Sequence, residues 1–227
     1  MAGAVTGSPA SLATTELRGA RRRLIEALGD QGVTDLAVLR AFDEVPRHLF
    51  VPSGVAHRAY EDAALPIGGG QTISQPSVHA RSLQALRLNG RGRVLEVGTG
   101  SGFQTALLAR LADQVFSVER VPALFERARE LLAQYGIRNV SLLLGDGTLG
   151  WREYAPYDGI VVGAGAPDLP AAYAGQLVDG GRVVIPIGTR DEQTLAIYTK
   201  RGSTMERADL APVRFVPLLG TQGWAGG

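Results

Sequence analysis

The sequence predicts an α/β fold with a seven-stranded, mostly parallel sheet, helices on both faces and an antiparallel edge. Three observations carry that expectation. Five short apolar runs, near 94–97, 115–119, 140–144, 157–162 and 182–187, are separated by segments of helical character, as parallel strands with crossover helices require. Two further runs, 194–198 and 213–216, have only a polar turn around Arg201-Gly202-Ser203 between them and should pair directly. The first run leads through an acid and three alternating glycines, Val94-Leu95-Glu96-Val97-Gly98-Thr99-Gly100-Ser101-Gly102-Phe103, into a helix beginning near Gln104. That is the layout of a nucleotide-cofactor turn.

Bulk properties agree with one α/β domain. The 227 residues are 45% hydrophobic, enough for a sizeable core. Lysine and arginine total 23 against 22 acidic residues, so the net charge of +1 gives no reason to expect a nucleic-acid partner. The absence of cysteine removes disulfides, thiolate metal sites and cysteine nucleophiles together, and no metal site is expected. The opening residues lack a basic start followed by an apolar core, and no run is long enough to span a bilayer. The expectation is a cytoplasmic monomer without a membrane partner.

Residues 1–13 are small and polar and read as a disordered tail. From Thr14 to Leu28, Leu17, Ala20, Leu24, Ala27 and Leu28 recur at helical spacing, leaving the arginines at 18 and 21–23 mostly on a solvated face. A second helix should start at Thr34, with Asp35 favouring its dipole, and stop before Pro46, burying Leu36, Leu39, Ala41, Phe42 and Val45. In Pro46-Arg47-His48-Leu49-Phe50-Val51-Pro52, His48 has no acid, serine or second histidine at a telling spacing and reads as a packing or surface residue.

The stretch Leu65-Pro66-Ile67-Gly68-Gly69-Gly70-Gln71-Thr72-Ile73-Ser74-Gln75-Pro76 reads as a flexible polar loop, a composition suited to touching a ligand. Pro76 fits the first turn of a helix that runs through Val78, Leu83, Leu86 and Leu88 to an Asn89-Gly90 turn. The glycine turn follows. A dinucleotide fingerprint needs its third glycine at 103, but that residue is Phe103, and the pattern is Glu-x-Gly-x-Gly-x-Gly instead. Lacking a Cβ, these glycines allow a tight turn and close backbone approach to a cofactor.

After a short helix over 105–111, the strand Val115–Glu119 ends in an acid about twenty residues beyond Gly98, where a carboxylate can accept both ribose hydroxyls. Pro122 opens a helix that Gly136 ends, burying Leu124, Ala128, Leu131, Leu132 and Tyr135. The strand Val140–Leu144 runs into Gly145-Asp146-Gly147, a turn at the carboxyl end where open parallel sheets hold ligands. Tyr157–Val162 leaves into Gly163-Ala164-Gly165-Ala166, small enough for a bulky ligand to lie on the backbone. A helix over 170–177, the turn Asp179-Gly180-Gly181 and the strand 182–187 come next, and 220–227 reads as a flexible tail in which Trp224 either packs on the body or folds over the cleft.

The glycine pattern is similar to the first motif of the Rossmann-like class I methyltransferases, which hold S-adenosyl-L-methionine. With the upstream Leu65-Pro66-Ile67-Gly68 and Gln71-Thr72-Ile73-Ser74-Gln75-Pro76, the chain resembles the protein-L-isoaspartate O-methyltransferase family from about Val45 to Leu218. The resemblance implies a single domain over 14–219, with a helical part carrying the substrate loop at 14–90 and a cofactor-binding sheet at 91–219. It implies Ser74 as the active-site hydroxyl, although the same side chain could simply cap the helix at Pro76. Its implied cofactor contacts are Thr72, Ile73, Glu96, Gly98, Thr99, Gly100, Ser101, Gln104, Glu119, Arg120, Asp146, Gly147, Gly163 and Ala164, with Asp146 accepting the adenine amino group. Its implied substrate contacts are Ile67, Gly68, Gln71, Thr72 and Ser74. Gly163 lies within family variation, whereas Gly165 in place of alanine is unusual.

The implied reaction is methyl transfer from S-adenosyl-L-methionine to the α-carboxylate of L-isoaspartyl residues in peptides and unfolded or damaged proteins, leaving S-adenosyl-L-homocysteine. A carboxylate with a pKa of about 4 is already ionised at neutral pH, so no general base is needed, in keeping with the few acid–base candidates. Two other readings stay open at this stage: a methyltransferase of the same fold acting on a biosynthetic peptide or small carboxylate, and a non-catalytic partner-binding module.

Overall fold

The computed structural model describes residues 9–225, with side chains of the first helix described from Glu16. Residues 1–8 of the expected tail lie outside the described residues, and 9–13 belong to the helix α1, Pro9–Asp30. Its Leu24 and Leu28 are buried against the core, while Arg22 stays on the solvated face in an ion pair with Glu26.

Helix α2 (Leu36–Glu44) starts one residue later than expected. The Asp35 carboxylate, not Thr34, caps it by accepting from the Ala37 and Val38 amides, while the Thr34 amide donates to Gln84 Oε1 at 2.7 Å. This sets the phase of the helix. Val38, Ala41, Phe42 and Val45 turn inward, and Leu36, expected to be buried, is 78% exposed.

The expected flexible loop is a β-hairpin. Strands β1 (Leu65–Gly68) and β2 (Gln71–Ile73) pair antiparallel, and Gly68, Gly69 and Gly70 turn the chain with φ of 96°, 59° and 69°, values that side-chain-bearing residues seldom adopt. Leu65, Ile67 and Ile73 point into the core and fix the register, so only the polar face of the ribbon is left free. Helix α3 (Pro76–Leu86) follows, with proline at its first position.

The sheet is built from β3 (Arg93–Val97), β4 (Gln114–Glu119), β5 (Val140–Leu144), β6 (Tyr157–Val162), β7 (Leu177–Gly188), β8 (Gln193–Arg201) and β9 (Thr204–Val213), in the spatial order β5-β4-β3-β6-β7-β8-β9. The first five strands are parallel and the last two antiparallel. Helices α4 (Phe103–Leu108), α5 (Pro122–Gln134) and α6 (Ala171–Gly175) lie in the connections β3–β4, β4–β5 and β6–β7. One apolar cluster joins α1–α5 to one side of the sheet; the other gathers Leu95, Phe116, Ile160, Tyr173 and Ile185 on the opposite side. Chain order reverses direction across the sheet between β3 and β6, which puts a crevice beyond their carboxyl ends.

Among the boundaries that differ from expectation, two change the sheet. The turn at 179–181 is absorbed into β7, where the pairing with β6 jumps from Tyr157↔Leu177 to Gly159↔Arg182. The last strand is 204–213 rather than 213–216. It is an edge strand with most residues exposed, so its sequence lacks an apolar face to announce it. The segment beyond it turns back, and Pro217 bridges to Gly165.

Candidate active site

Strands β3 and β6 end side by side, and the backbones of Gly98 and Gly163 meet there. The Gly163 amide donates to Val97 O and the Gly98 amide to Val118 O, both at 2.8 Å. A Cβ on Gly163 would sit 3.4 Å from Gly98 O, in van der Waals contact, and Gly98 turns at φ 92°, a conformation that favours glycine.

Beyond these strand ends lies a cleft open to solvent. Gly98, Gly100, Gly147, Gly163 and Ala164 offer it backbone, and Val97, Val118, Val121 and Leu124 give it an apolar floor. Ile67, Gln71 and Thr72 of the hairpin form one rim, Glu119 and Arg120 another. The carboxylate of Glu119, at the end of β4, is held by backbone amides: Oε2 accepts from Gly100 at 2.8 Å, and Oε1 from Arg120 and Val121 at 2.9 and 2.8 Å. Oε2 therefore keeps a lone pair for a further donor. A preset carboxylate, an apolar slot and glycine-lined backbone suit a nucleoside with its ribose hydroxyls on Glu119.

Glu96 is a correction to the sequence reading. Expected among the cofactor contacts, it is fully buried behind the glycine turn and lines neither cavity of the site. Its oxygens accept from Gln104 Nε2 (3.1 Å), Ser117 Oγ (2.6 Å) and Thr105 Oγ1, and Ser117 lies 2.6 Å from Thr99 Oγ1. Burial raises its pKa to about 7, against the opposing pull of the three donors. Gln104, with its amide nitrogen committed to Glu96, presents its oxygen to His79 Nδ1 at 2.8 Å. That chain gives His79 the Nδ1–H tautomer, and burial lowers its pKa to about 3, so the ring is neutral at pH 7.

A second cavity adjoins the first. Thr72, Ile73, Ser74, Val78, His79 and Ser82 line it from the hairpin and α3; Gly98, Thr99, Gly100, Ser101 and Gln104 line it from the glycine turn. It shares Thr72, Gly98, Gly100 and Gly163 with the cleft, so the two are one continuous site. Ser74 lines this second cavity. The α3 N-cap is Gln75 without a side-chain cap bond, and among the described residues the Ser74 hydroxyl makes no hydrogen bond. The capping alternative for Ser74 therefore has no support in the geometry, and its hydroxyl is free to bind a ligand.

The C-terminal segment is the other correction. Expected to be a flexible tail, residues 220–225 pack on the site. Asp146 Oδ2 accepts from the Thr221 amide and hydroxyl at 2.7 and 2.8 Å, and Oδ1 from the Thr148 amide and hydroxyl at 2.9 and 2.6 Å. Trp224 Nε1 donates to Gly165 O at 3.0 Å, with the Arg190 guanidinium over its ring. Val216, Pro217, Leu218 and Leu219 thereby wall the cleft. Asp146 lines neither cavity, because its carboxylate clasps this segment, whereas its neighbour Gly147 lies on the cleft wall. Gly68 lies in the hairpin turn, also outside both linings. Gly165 has a local reason: a Cβ there would meet the Gln193 amide group, which is bonded to the Phe215 backbone.

Sequence reasoning missed the wall at 216–219 and the buried His79. The apolar Val216-Pro217-Leu218-Leu219 run before the tail was a usable signal. His79 gave none, since a single histidine in a helix is ambiguous without its neighbours.

Comparison with known proteins converges on one group. A family model described as protein-L-isoaspartate(D-aspartate) O-methyltransferase matches residues 19–223. A protein-L-isoaspartate O-methyltransferase of Dictyoglomus thermophilum is 51% identical over 211 residues, covering 93% of this chain and 96% of the relative. One from Halorhodospira halophila is 53% identical over 200 residues, covering 88% and 91%. Among solved structures, a protein-L-isoaspartate O-methyltransferase superposes with a TM-score of 0.81 at 32% identity, over 89% of this chain and 67% of the other. A Plasmodium falciparum structure described as a protein-L-isoaspartate O-methyltransferase in complex with S-adenosyl-L-homocysteine gives 0.75 at 27% identity, over 88% and 98%.

Proposed function

The chain belongs to the protein-L-isoaspartate(D-aspartate) O-methyltransferase family, and from that premise we propose how its residues divide the work of methylating L-isoaspartyl residues in damaged proteins. The observation that carries the assignment is the continuity of the two cavities at Thr72, Gly98, Gly100 and Gly163, which lets the free hydroxyl of Ser74 meet whatever lies along the glycine turn. S-adenosyl-L-methionine, when bound, supplies a sulfonium methyl group. The relative in complex with the demethylated product supports this cofactor.

On this reading Glu119 accepts the ribose hydroxyls, Gly98, Gly100 and Gly163 let the cofactor approach the backbone, and Val97, Val118 and Leu124 pack beneath it. The Ser74 hydroxyl donates to the isoaspartyl α-carboxylate and turns one oxygen toward the methyl group. Gln71 and Thr72, on the polar face of the hairpin, bond the backbone of an extended peptide. An α-carboxylate of pKa about 4 is ionised at neutral pH and needs no base. The enzyme contributes alignment and exclusion of water, and alignment of two reactants is worth about 7 to 11 kcal/mol. Neutral His79 and buried Glu96 stiffen the turn and transfer no proton.

Action as a monomer in the cytoplasm, without nucleic acid or membrane, belongs to the same proposal, and the near balance of basic and acidic residues supports the lack of a nucleic-acid partner. Methyl transfer from labelled cofactor to an isoaspartyl peptide and to its aspartyl twin tests the substrate assignment. Transfer to the isoaspartyl peptide alone is expected; equal transfer to both, or to neither, would refute it.

A further inference from the structure

The segment Pro46-Arg47-His48 takes no direct part in either cavity, yet it places a guanidinium, 1% exposed, beneath the hairpin. Arg47 Nη2 donates to the carbonyl of Ser74 at 2.9 Å and, more weakly, to that of Ala63 at 3.4 Å. Its guanidinium carbon lies 5.0 Å from the ring centroid of Phe103, the first residue of α4 and the end of the glycine turn. Three residues beyond Ser74, the amide of Ser77 donates to Asp62 Oδ1 at 2.8 Å. Asp62 and Arg47 are opposite charges that act on one another through space. The two side chains thus grip Ser74-Gln75-Pro76-Ser77 at its first carbonyl and its last amide.

From this geometry we infer that Arg47 is a positioning residue which, together with Asp62, fixes the Ser74 backbone so that its hydroxyl is held in the second cavity, facing the glycine turn. The inference rests on the reading of Ser74 given above. Little in between can move. Pro76 has its φ set by its ring and restricts Gln75 before it, which sits at φ −59° and ψ 145°. On the other side Ile73 is registered against Leu65 in the hairpin. Once the Ser74 carbonyl and the Ser77 amide are tied, the Cα of Ser74 has no free hinge on either side.

Packing alone does not account for an arginine here. The Nε and Nη1 atoms of Arg47 are buried without partners, and a partly satisfied buried cation costs more than an apolar side chain of similar volume. Burial lowers its pKa to about 9, with Asp62 opposing the shift, so it remains charged at pH 7. What the guanidinium supplies that an apolar residue cannot is a charged donor to the Ser74 carbonyl, together with a cation–π contact that ties the hairpin to the cofactor turn.

A double-mutant cycle in single-turnover methyl transfer to isoaspartyl peptide tests this, with S-adenosyl-L-methionine affinity measured by calorimetry on each folded variant. Arg47→Met is expected to lower the rate constant about 10- to 100-fold with cofactor affinity within about 3-fold, and Arg47→Lys to restore at least part of the rate. In a Ser74→Ala background, where the hydroxyl is already gone, Arg47→Met should cost less than about 3-fold. The same factor in both backgrounds, or a parallel loss of cofactor affinity, would mean that Arg47 does not act through Ser74. Should Arg47→Met not fold, the cycle with Arg47→Lys decides by the same non-additivity. A Ser74→Ala enzyme of full rate would instead remove the Ser74 reading itself, and the clamp with it, whereas an impaired Ser74→Ala with additive losses removes the clamp alone.

Discussion

The two walls of the active site are built in opposite ways. On the glycine-turn side nearly every polar group is engaged. Glu119 accepts from three backbone amides, Glu96 from three side chains, and Gln104 links that network to His79. On the hairpin side, a Cβ on Gly68 or Gly70 would meet nothing within 4 Å, the Gln71 amide reaches only Gly69 O at 3.4 Å, and the Ser74 hydroxyl has no partner among the described residues. A cofactor is the same molecule at every turnover, so its wall can be preset. The damaged peptide changes with each substrate, and the wall that meets it keeps its donors and acceptors uncommitted while Arg47 and Asp62 hold the backbone behind them.

The contrast breaks most severely at Gly100. It lies at φ 55° and borders both cavities, with its amide on Glu119. A β-branched side chain at that φ is strained, and it would project toward Ile67 across the junction of the cavities. Gly100→Val should abolish cofactor binding by calorimetry while the fold persists by circular dichroism. Cofactor binding at the original affinity would show that the preset wall lies elsewhere.

Next in size is Ser74→Ala, which touches only the uncommitted wall. Removing one oriented donor costs about 10²-fold in turnover when the donor acts at the reacting group. Because the hydroxyl caps nothing, cofactor affinity and melting temperature should stay put. A loss of melting temperature with turnover retained would return Ser74 to a structural role.

Glu119→Ala should weaken the cofactor by about 1.5 to 3 kcal/mol, the worth of charge-assisted bonds to the ribose. The geometry adds a second effect. The amides of Gly100, Arg120 and Val121 lose their acceptor, so stability should fall too, by about 1 to 3 kcal/mol in denaturant unfolding. Loss of affinity without loss of stability would mean that the turn does not depend on this carboxylate.

How much of this was legible in sequence follows the same division. The geometry of the turn side was legible in part, because strand, acid and glycines carry period and spacing: Glu119 ends β4, and Gly98, Gly100 and Gly163 line the cleft. Glu96 shows the limit, since spacing says that an acid ends near the turn but not which way its side chain points. Both faces of β3 are buried, and residue parity puts Glu96 on the face of Val94, where Thr105 and Ser117 await it. The hairpin reads as a loop in sequence because three glycines dominate a ribbon only three to four residues long per strand. The C-terminal segment gives no sign in sequence because its partner, Asp146, lies 75 residues away, and β9 gives none because it is an exposed edge strand without an apolar face.

The smallest expected effect concerns the back of the preset wall. Glu96 has its pKa raised on folding from 4.5 to about 7, chiefly by burial, with hydrogen bonds from Ser117, Thr105 and Gln104 opposing. A carboxyl raised in this way keeps its proton in the folded protein where the unfolded chain has released it. The stability it contributes is present in full below about pH 4.5, drains away as pH rises, and has gone above about pH 7, where both states are ionised. Glu96→Gln removes that titration and leaves a side chain of the same shape. Wild type should therefore lose stability relative to Glu96→Gln as pH rises from about 4.5 to 7, with a flat difference above. His79, whose pKa is lowered to about 3, titrates in the opposite sense, but it is common to both proteins and cancels to first order. The measurement is denaturant unfolding of the two proteins across that range. A difference independent of pH would mean that the three donors outweigh burial and that Glu96 is ionised in both states, making the wall behind the glycine turn a charged layer instead of a proton-bearing one.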